Sequence, residues 1–199
     1  MNSLQDINSI IGRAVLSVQT ANTLGRVHDF VVDPRSGRMA GLAVQRPDET
    51  LAFVDQGQIH SMGPDAVMIE EDKSMLTQSQ SPLSVLPLAK NRLIKVKVLT
   101  ESGQLLGRVA NVFIHLVEPP TFVYEVRSSM MDRLLGRGVF FRASLAGAFA
   151  DDGTSLLVSD NTEEMDRSLQ SVVKRLSGPG EILAFEPAAV RVTVRSHAE

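Results

Sequence analysis

Leu24-Gly25-Arg26-Val27 returns later in the chain as Leu106-Gly107-Arg108-Val109, and this recurrence decides how the rest is read. At the same offset Ala14 and Leu16 fall on Val96 and Val98, and Phe30-Val31-Val32 falls on Val112-Phe113-Ile114. Agreement of apolar positions on both flanks points to a duplicated segment and not to a chance tetrapeptide. A chain of 199 residues has room for two small domains of this kind.

Working outward in the first copy, Arg13 to Val18 reads as a strand and Gly25 to Asp33 as a second, with the polar stretch Gln19 to Thr23 as the turn between them. Asp33-Pro34-Arg35-Ser36-Gly37 is a reverse turn, because proline pre-sets φ and glycine supplies a positive φ at its end. Ala40, Leu42 and Val44 alternate in a third strand, the pattern of one-sided burial. Leu51 to Val54 and Val67 to Ile69 complete the copy, the latter after the turn Gly63-Pro64-Asp65. Short strands at this spacing predict an all-β sandwich or barrel.

Thr77-Gln78-Ser79-Gln80-Ser81-Pro82 lacks apolar periodicity and reads as linker. The second copy opens with a strand from Leu93 to Leu99, Ile94, Val96 and Val98 on one side and Lys95 and Lys97 on the other. It continues through Thr121 to Arg127 and Val139 to Arg142, and Asp151-Asp152-Gly153 precedes its last strand at Leu156. Beyond it the period changes: Met165, Leu169, Val172, Val173 and Leu176 form one stripe of an amphipathic helix, capped by Asn161 or Thr162 and stopped by Gly178-Pro179. Ile182 to Phe185 and Val190 to Val194 follow as candidate closing strands. The expected architecture is mainly all-β: a first small barrel over residues 1–76, a linker over 77–90, a second barrel over 91–160, and a helix-and-strand extension over 161–199. Each sheet is expected to seal its own aliphatic interior.

Gly12-Arg13-Ala14-Val15, Leu24-Gly25-Arg26-Val27, Phe30-Val31-Val32-Asp33-Pro34, Ser36-Gly37-Arg38 and Gly41-Leu42-Ala43-Val44 together resemble the PRC-barrel family. That family includes the cytoplasmic barrel of the photosynthetic reaction-centre H subunit and the C-terminal barrel of a ribosome maturation factor. The likeness covers residues 9 to 70; the second copy keeps Gly103, Leu106 to Val109 and Val112 to Ile114 but lacks the Asp-Pro and Ser-Gly turn. The resemblance implies a compact barrel that docks on protein or ribonucleoprotein partners. It brings no catalytic residues, since its motif positions are turn and core residues.

Composition agrees with a soluble globular chain: 43% hydrophobic, 22% charged and 5% aromatic, with no Trp. The absence of cysteine excludes disulfides, thiolate catalysis and cysteine-held metals, and fits a reducing cytoplasm. No apolar run is long enough to span a bilayer, and the N-terminus does not read as a secretory signal. A formal net charge of −3 disfavours wholesale neutralisation of a nucleic-acid backbone.

His28, His60, His115 and His197 lack metal-ligand spacing, and the acid pairs Glu70-Glu71, Asp151-Asp152 and Glu163-Glu164 read as solvated turns or a helix start. No catalytic, metal or cofactor set is therefore expected. Leu24, Gly25, Arg26 and Val27, with Leu106, Gly107, Arg108 and Val109, are expected to serve the fold. Met130, Met131, Leu134 and Leu135 are candidate partner contacts, being an apolar Met-rich insertion, and Lys95 and Lys97 are candidate anion contacts on one strand face. The function expected is a non-catalytic, cytoplasmic scaffold that binds a protein partner, with self-association into a homodimer left open. Ribosome- or RNA-associated maturation is the alternative, and a small-ligand or quinone accessory role the second.

Overall fold

The computed structural model describes residues 4–116, 120–128, 138–143, 146–150, 154–160 and 165–177. The first repeat supplies β2 (Ala14–Ser17), β3 (Thr23–Val32), β4 (Met39–Gln45), β5 (Leu51–Asp55), β6 (Ile59–Met62), β7 (Ala66–Ile69) and β8 (Met75–Thr77). They form one seven-stranded sheet in the order β6-β7-β2-β3-β4-β5-β8. The second repeat supplies β9 (Lys97–Thr100), β10 (Leu105–His115), β11 (Thr121–Arg127), β12 (Val139–Arg142), β13 (Ala146–Phe149) and β14 (Ser155–Val158). Their order, β13-β14-β9-β10-β11-β12, repeats that of β6-β7-β2-β3-β4-β5 and has no counterpart of β8. In both sheets neighbours run antiparallel except for a single parallel pair, β2 with β7 and β9 with β14, which brings the last repeat strand back beside the first. Duplication is thus written in the topology as well as in the tetrapeptide.

The motif glycines explain why that tetrapeptide recurs. A Cβ on Gly25 would overlap the Gln45 carbonyl, and one on Gly107 would overlap the Arg127 carbonyl, because the next strand's backbone crosses too close for any side chain. The arginine that follows then reaches across the strand end. Arg26 Nη1 donates to the carbonyl of Gly12 at 2.9 Å, and Arg108 Nη1 to that of Lys95 at 3.0 Å. Gly12 and Lys95 share a positive φ, 89° and 71°, so the guanidinium latches the same left-handed corner in each repeat.

That equivalence corrects the alignment of the opening strands. Ala14 pairs Arg26 and Lys97 pairs Arg108, so the turn between β9 and β10 is one residue shorter than that between β2 and β3, and Val15 corresponds to Val98, both fully buried. The predicted strand from Leu93 begins only at Lys97; Leu93 ends a helical turn and Lys95 makes the corner.

The segments ahead of each repeat are exchanged. β1 (Leu4–Asp6) and the single-turn helix α1 (Ile7–Ile10) precede the first repeat, yet β1 pairs with β10, Leu4 opposite His115 and Asp6 opposite Phe113. Reciprocally, Leu88 bridges Val31, the Val32 N–H donates to the Pro87 carbonyl at 2.9 Å, and helix α2 (Ala89–Arg92) packs on β3. The stretch read as a structureless linker is therefore built into the sheets: β8 extends the first sheet beside β5, and a 3₁₀ turn spans Pro82–Val85.

Both exchanged segments are held at equivalent β-bulges, one after Val27 and one after Val109. At the first, Asp29 accepts from the Phe30 N–H at 2.7 Å and the Lys90 N–H at 3.1 Å. At the second, Asn111 accepts from the Val112 N–H at 2.9 Å and donates to the Asp6 carboxylate at 2.8 Å. Acid and donor have traded sides between the repeats. Burial raises the Asp29 carboxyl above its ordinary range, opposed by those two backbone donors.

The interiors do not close separately, contrary to the expectation. One hydrophobic cluster runs from Ile7, Val15, Phe30 and Leu42 through Val98, Val112, Phe122 and Tyr124 to Leu156. Phe30 meets Phe122 edge to face at 5.8 Å, joining the two sheets in a shared core. Covering each of these rings is worth about 2–3 kcal/mol, a contribution that each sheet draws in part from the other.

One-sided burial fails in β4 for a related reason. Leu42 and Val44 face the main core, but Ala43 on the opposite face is also buried, with Val31, Phe53 and Leu83, beneath the 3₁₀ turn. The matching outer face of the second sheet, Val123 and Phe140, is covered by Leu4 and by helix α3 (Leu169–Ser177), through Leu169 and Val172. The helix starts later than its apolar stripe suggested, with Ser168 Oγ accepting from the Ser171 N–H at 3.2 Å. Asn161, Thr162, the predicted closing strands, Asp151 to Gly153 and Gly178-Pro179 lie outside the described residues.

Candidate functional site

β9, β10 and β14 turn alternate residues inward and outward. Val98, Thr100, Val109, Leu156 and Val158 are buried, whereas Lys97 and Arg108 are exposed. Lys97 and Arg108 are directly opposed, and Arg127 of β11 is the next residue along the row. Lys95, at the corner, is exposed beside them, its carbonyl taken by Arg108. The two lysines singled out from the sequence thus share a surface with two arginines that were not read as part of it. Strand pairing across β10 brings them together, and a pattern read along one strand does not reveal it.

Of these cations, Arg127 is engaged: its Nη2 lies 2.6 Å from Glu125 Oε1, and that carboxylate is almost wholly buried. Lys95, Lys97 and Arg108 have no ion pair among the described residues. The Met130, Met131, Leu134 and Leu135 contacts lie outside the described residues.

The remaining candidates are dispersed. His28 is exposed, His115 is buried, and His60 sits 3.1 Å from Glu70, while His197 lies outside the described residues. Among the described residues no three histidine or acidic side chains gather as a metal site. Glu71 pairs with Lys73 at 3.0 Å. Two aspartates act as turn latches: Asp72 accepts from Thr20 Oγ1 at 2.7 Å, and Asp160 from Ser102 Oγ at 2.8 Å, each tying the hairpin turn beside it to the end of the returning strand. Hydroxyl donors, Ser17 and Thr20 for the first and Ser102 for the second, hold both carboxyls below their ordinary range.

A cleft of about 410 Å³ opens where the 3₁₀ turns Gln56–Gln58 and Asp72–Ser74 lead into β6 and β8, between Asp55, Gln58, Glu71, Leu76 and Leu83. Its floor is tied by Ser74 Oγ donating to Gln58 Oε1 at 2.7 Å, a side-chain link across the seam of the first sheet. No signal along the chain marks it, because its walls come from separate segments, Asp55 and Gln58 on one side and Glu71 to Leu83 on the other.

The β8 edge beside the cleft is closed by its own chain. The Thr77 N–H donates to Gln80 Oε1 at 3.1 Å, the Thr77 carbonyl accepts from the Gln80 N–H at 3.0 Å, and Arg46 Nη2 covers the Met75 carbonyl at 3.2 Å. Strand addition at this edge would have to break those bonds first.

No helix among the described residues is long and apolar enough to cross a membrane. No curated protein matches the chain at a significant level. Residues 5–76 match the sequence model of the PRC-barrel domain family, a span that starts inside β1 and ends inside β8. The first repeat is thus similar to a PRC-barrel domain, and the second, outside that match, reproduces the order of its strands from β6 to β5.

Proposed function

We propose that this protein is a non-catalytic adaptor of the cytoplasm that docks a protein partner on the outer surfaces of its two sheets. The observation that carries the reading is the filled, shared interior. Phe30, Phe122, Tyr124 and Phe141 occupy the space between the sheets, and the recurring motif residues are consumed by strand crossing and corner latching. Recognition is then a matter for the outside, where the PRC-barrel match also supports a protein-interaction role.

The test is affinity purification of the chain from its native cell across a range of salt concentrations. A stoichiometric protein partner is expected. Recovery of background proteins alone at every ionic strength would remove the adaptor reading, and recovery of ribosomal particles would replace it with ribosome-associated maturation.

A further inference from the structure

Beside the cationic row of the second sheet lies an apolar one. Leu99 of β9 stands opposite Leu105 of β10 on one side and Leu157 of β14 on the other. All three point away from the core, since their neighbours Val98, Thr100, Leu156 and Val158 are buried. Leu105 is 59% exposed and Leu157 42% exposed, with Leu99 half-buried between them. Two residues along β14 and β9, and three along β10 because of the bulge between Leu105 and Gly107, the same face presents Ser155, Lys97 and Arg108.

The fold does not require this arrangement, because the first repeat builds the same three strands without it. There the apolar row reads Met68, Leu16 and Thr23, and the row beside it Ala66, Ala14 and Arg26. Three exposed or half-exposed leucines next to cations that have no ion pair among the described residues are therefore a property of the second repeat, and surface leucines in a contiguous row mark interaction sites.

We infer that this face docks an acidic amphipathic helix of a partner protein, its aliphatic side chains on Leu157, Leu99 and Leu105 and its carboxylates over Lys97 and Arg108. The inference rests on the adaptor reading and names the surface and the chemistry of the partner. Charge complementarity selects the occupant: Lys95, Lys97 and Arg108 have no acidic partner among the described residues, in a chain whose net charge is −3. At the other end of the leucine row stand the exposed Glu101 and Asp160, the latter bonded to Ser102, so the cationic end is the one at Lys97 and Arg108. The spacing selects the shape. Strands lie about 4.8 Å apart, close to the roughly 5–6 Å between helix positions three and four apart, so one helix laid across the strands meets each leucine in turn. An anionic lipid surface or a nucleic acid would use the cations but leaves the leucine row without a specific role, and the face offers no aromatic ring for base stacking.

The experiment titrates the full chain with a labelled synthetic helix carrying leucine on one face and glutamate on the flanks. Saturable binding is expected, weakened about tenfold or more in Lys95→Glu/Lys97→Glu and in Leu105→Ser/Leu157→Ser, both at exposed positions and both checked for an unchanged thermal midpoint. The same helix with lysine for glutamate is expected not to bind. Absence of binding to the wild type, equal binding by both variants, or tighter binding to phosphatidylserine vesicles or single-stranded RNA than to the acidic helix would overturn the inference. Photo-crosslinking in native extract separates the two levels of the reading. A partner trapped from a probe at Val85 and not from one at Leu105 removes this face while keeping the adaptor, and a helix-binding face with no partner in extract removes the adaptor.

Discussion

The phenolic hydroxyl of Tyr124, wholly buried in the second sheet, donates to the carbonyl of Gly37 in the first at 2.6 Å. Gly37 closes the Asp33 to Arg38 turn with a φ of 64°, so the Asp-Pro and Ser-Gly motif missing from the second repeat's sequence forms the turn its tyrosine bonds to. In the first repeat the position equivalent to Tyr124 is Leu42, which is equally buried and has no polar group to satisfy. Tyr124→Phe leaves the Gly37 carbonyl without this donor while the ring packing persists. A loss of about 1–2 kcal/mol is expected, read as a lower denaturation midpoint at unchanged slope.

Burial holds the Tyr124 hydroxyl well above the usual phenol range. A phenol whose folded pKa is raised keeps its full contribution below the unfolded value, near pH 10, and loses it as pH rises beyond that value. Because Tyr124 is the only tyrosine in the chain, phenolate absorbance reports it alone. Ionisation is expected only together with alkaline unfolding, as one coincident transition by absorbance and circular dichroism. A free titration near pH 10 in a chain still folded would contradict the burial.

Asn111→Asp places a second carboxylate against Asp6, whose Oδ2 now accepts from the Asn111 amide. A destabilisation of about 1–2 kcal/mol is expected at neutral pH. It should shrink as pH falls through the carboxylate range, because one proton shared between the two acids restores a donor. Urea melts of both chains at acid and neutral pH decide it.

Gly107 and Gly103 both have a positive φ, 144° and 87°, but a Cβ at Gly103 meets nothing within 4 Å while one at Gly107 strikes the Arg127 backbone. Gly103→Ala should cost about 1–2 kcal/mol from backbone strain. Gly107→Ala adds overlap with a strand that cannot move aside, for a total of about 3 kcal/mol or more. Similar thermal midpoints for the two would refute the close-crossing explanation of the motif glycine.

Asp160 draws its low pKa first from the Ser102 hydroxyl. Ser102→Ala is expected to move its titration up toward the ordinary aspartate value, as followed by carboxyl carbon chemical shifts. Such a group stabilises above its unfolded pKa and loses that contribution as pH falls toward the folded one. The variant should therefore show a weaker dependence of turn stability on pH at the acid end.

The strands of both repeats were legible because their signals are local. The Leu24 to Val27 and Leu106 to Val109 motifs, the Asp33 to Gly37 turn and the short apolar runs of the strands each span only a few residues. What escaped was pairing between distant segments. Leu4 to Asp6 and Pro87 to Arg92 look like loose ends along the chain, and only the bulges at Asp29 and Asn111 show where they attach. The candidate surface was half legible for the same reason: Lys95 and Lys97 stand two apart in the sequence, but Arg108 and the leucine row join them through register across β9, β10 and β14.

The crossed lead-in segments carry a consequence for how such a molecule could arise and diversify. A polypeptide holding a single repeat would find its leading strand without a groove of its own and would have to lend it to a second molecule. Joining two such units end to end turns that obligate pair into one chain whose pairing no longer depends on concentration. Freed from matching itself, each outer face can then change alone, and the leucines and lysines that only the second repeat displays are what that freedom permits.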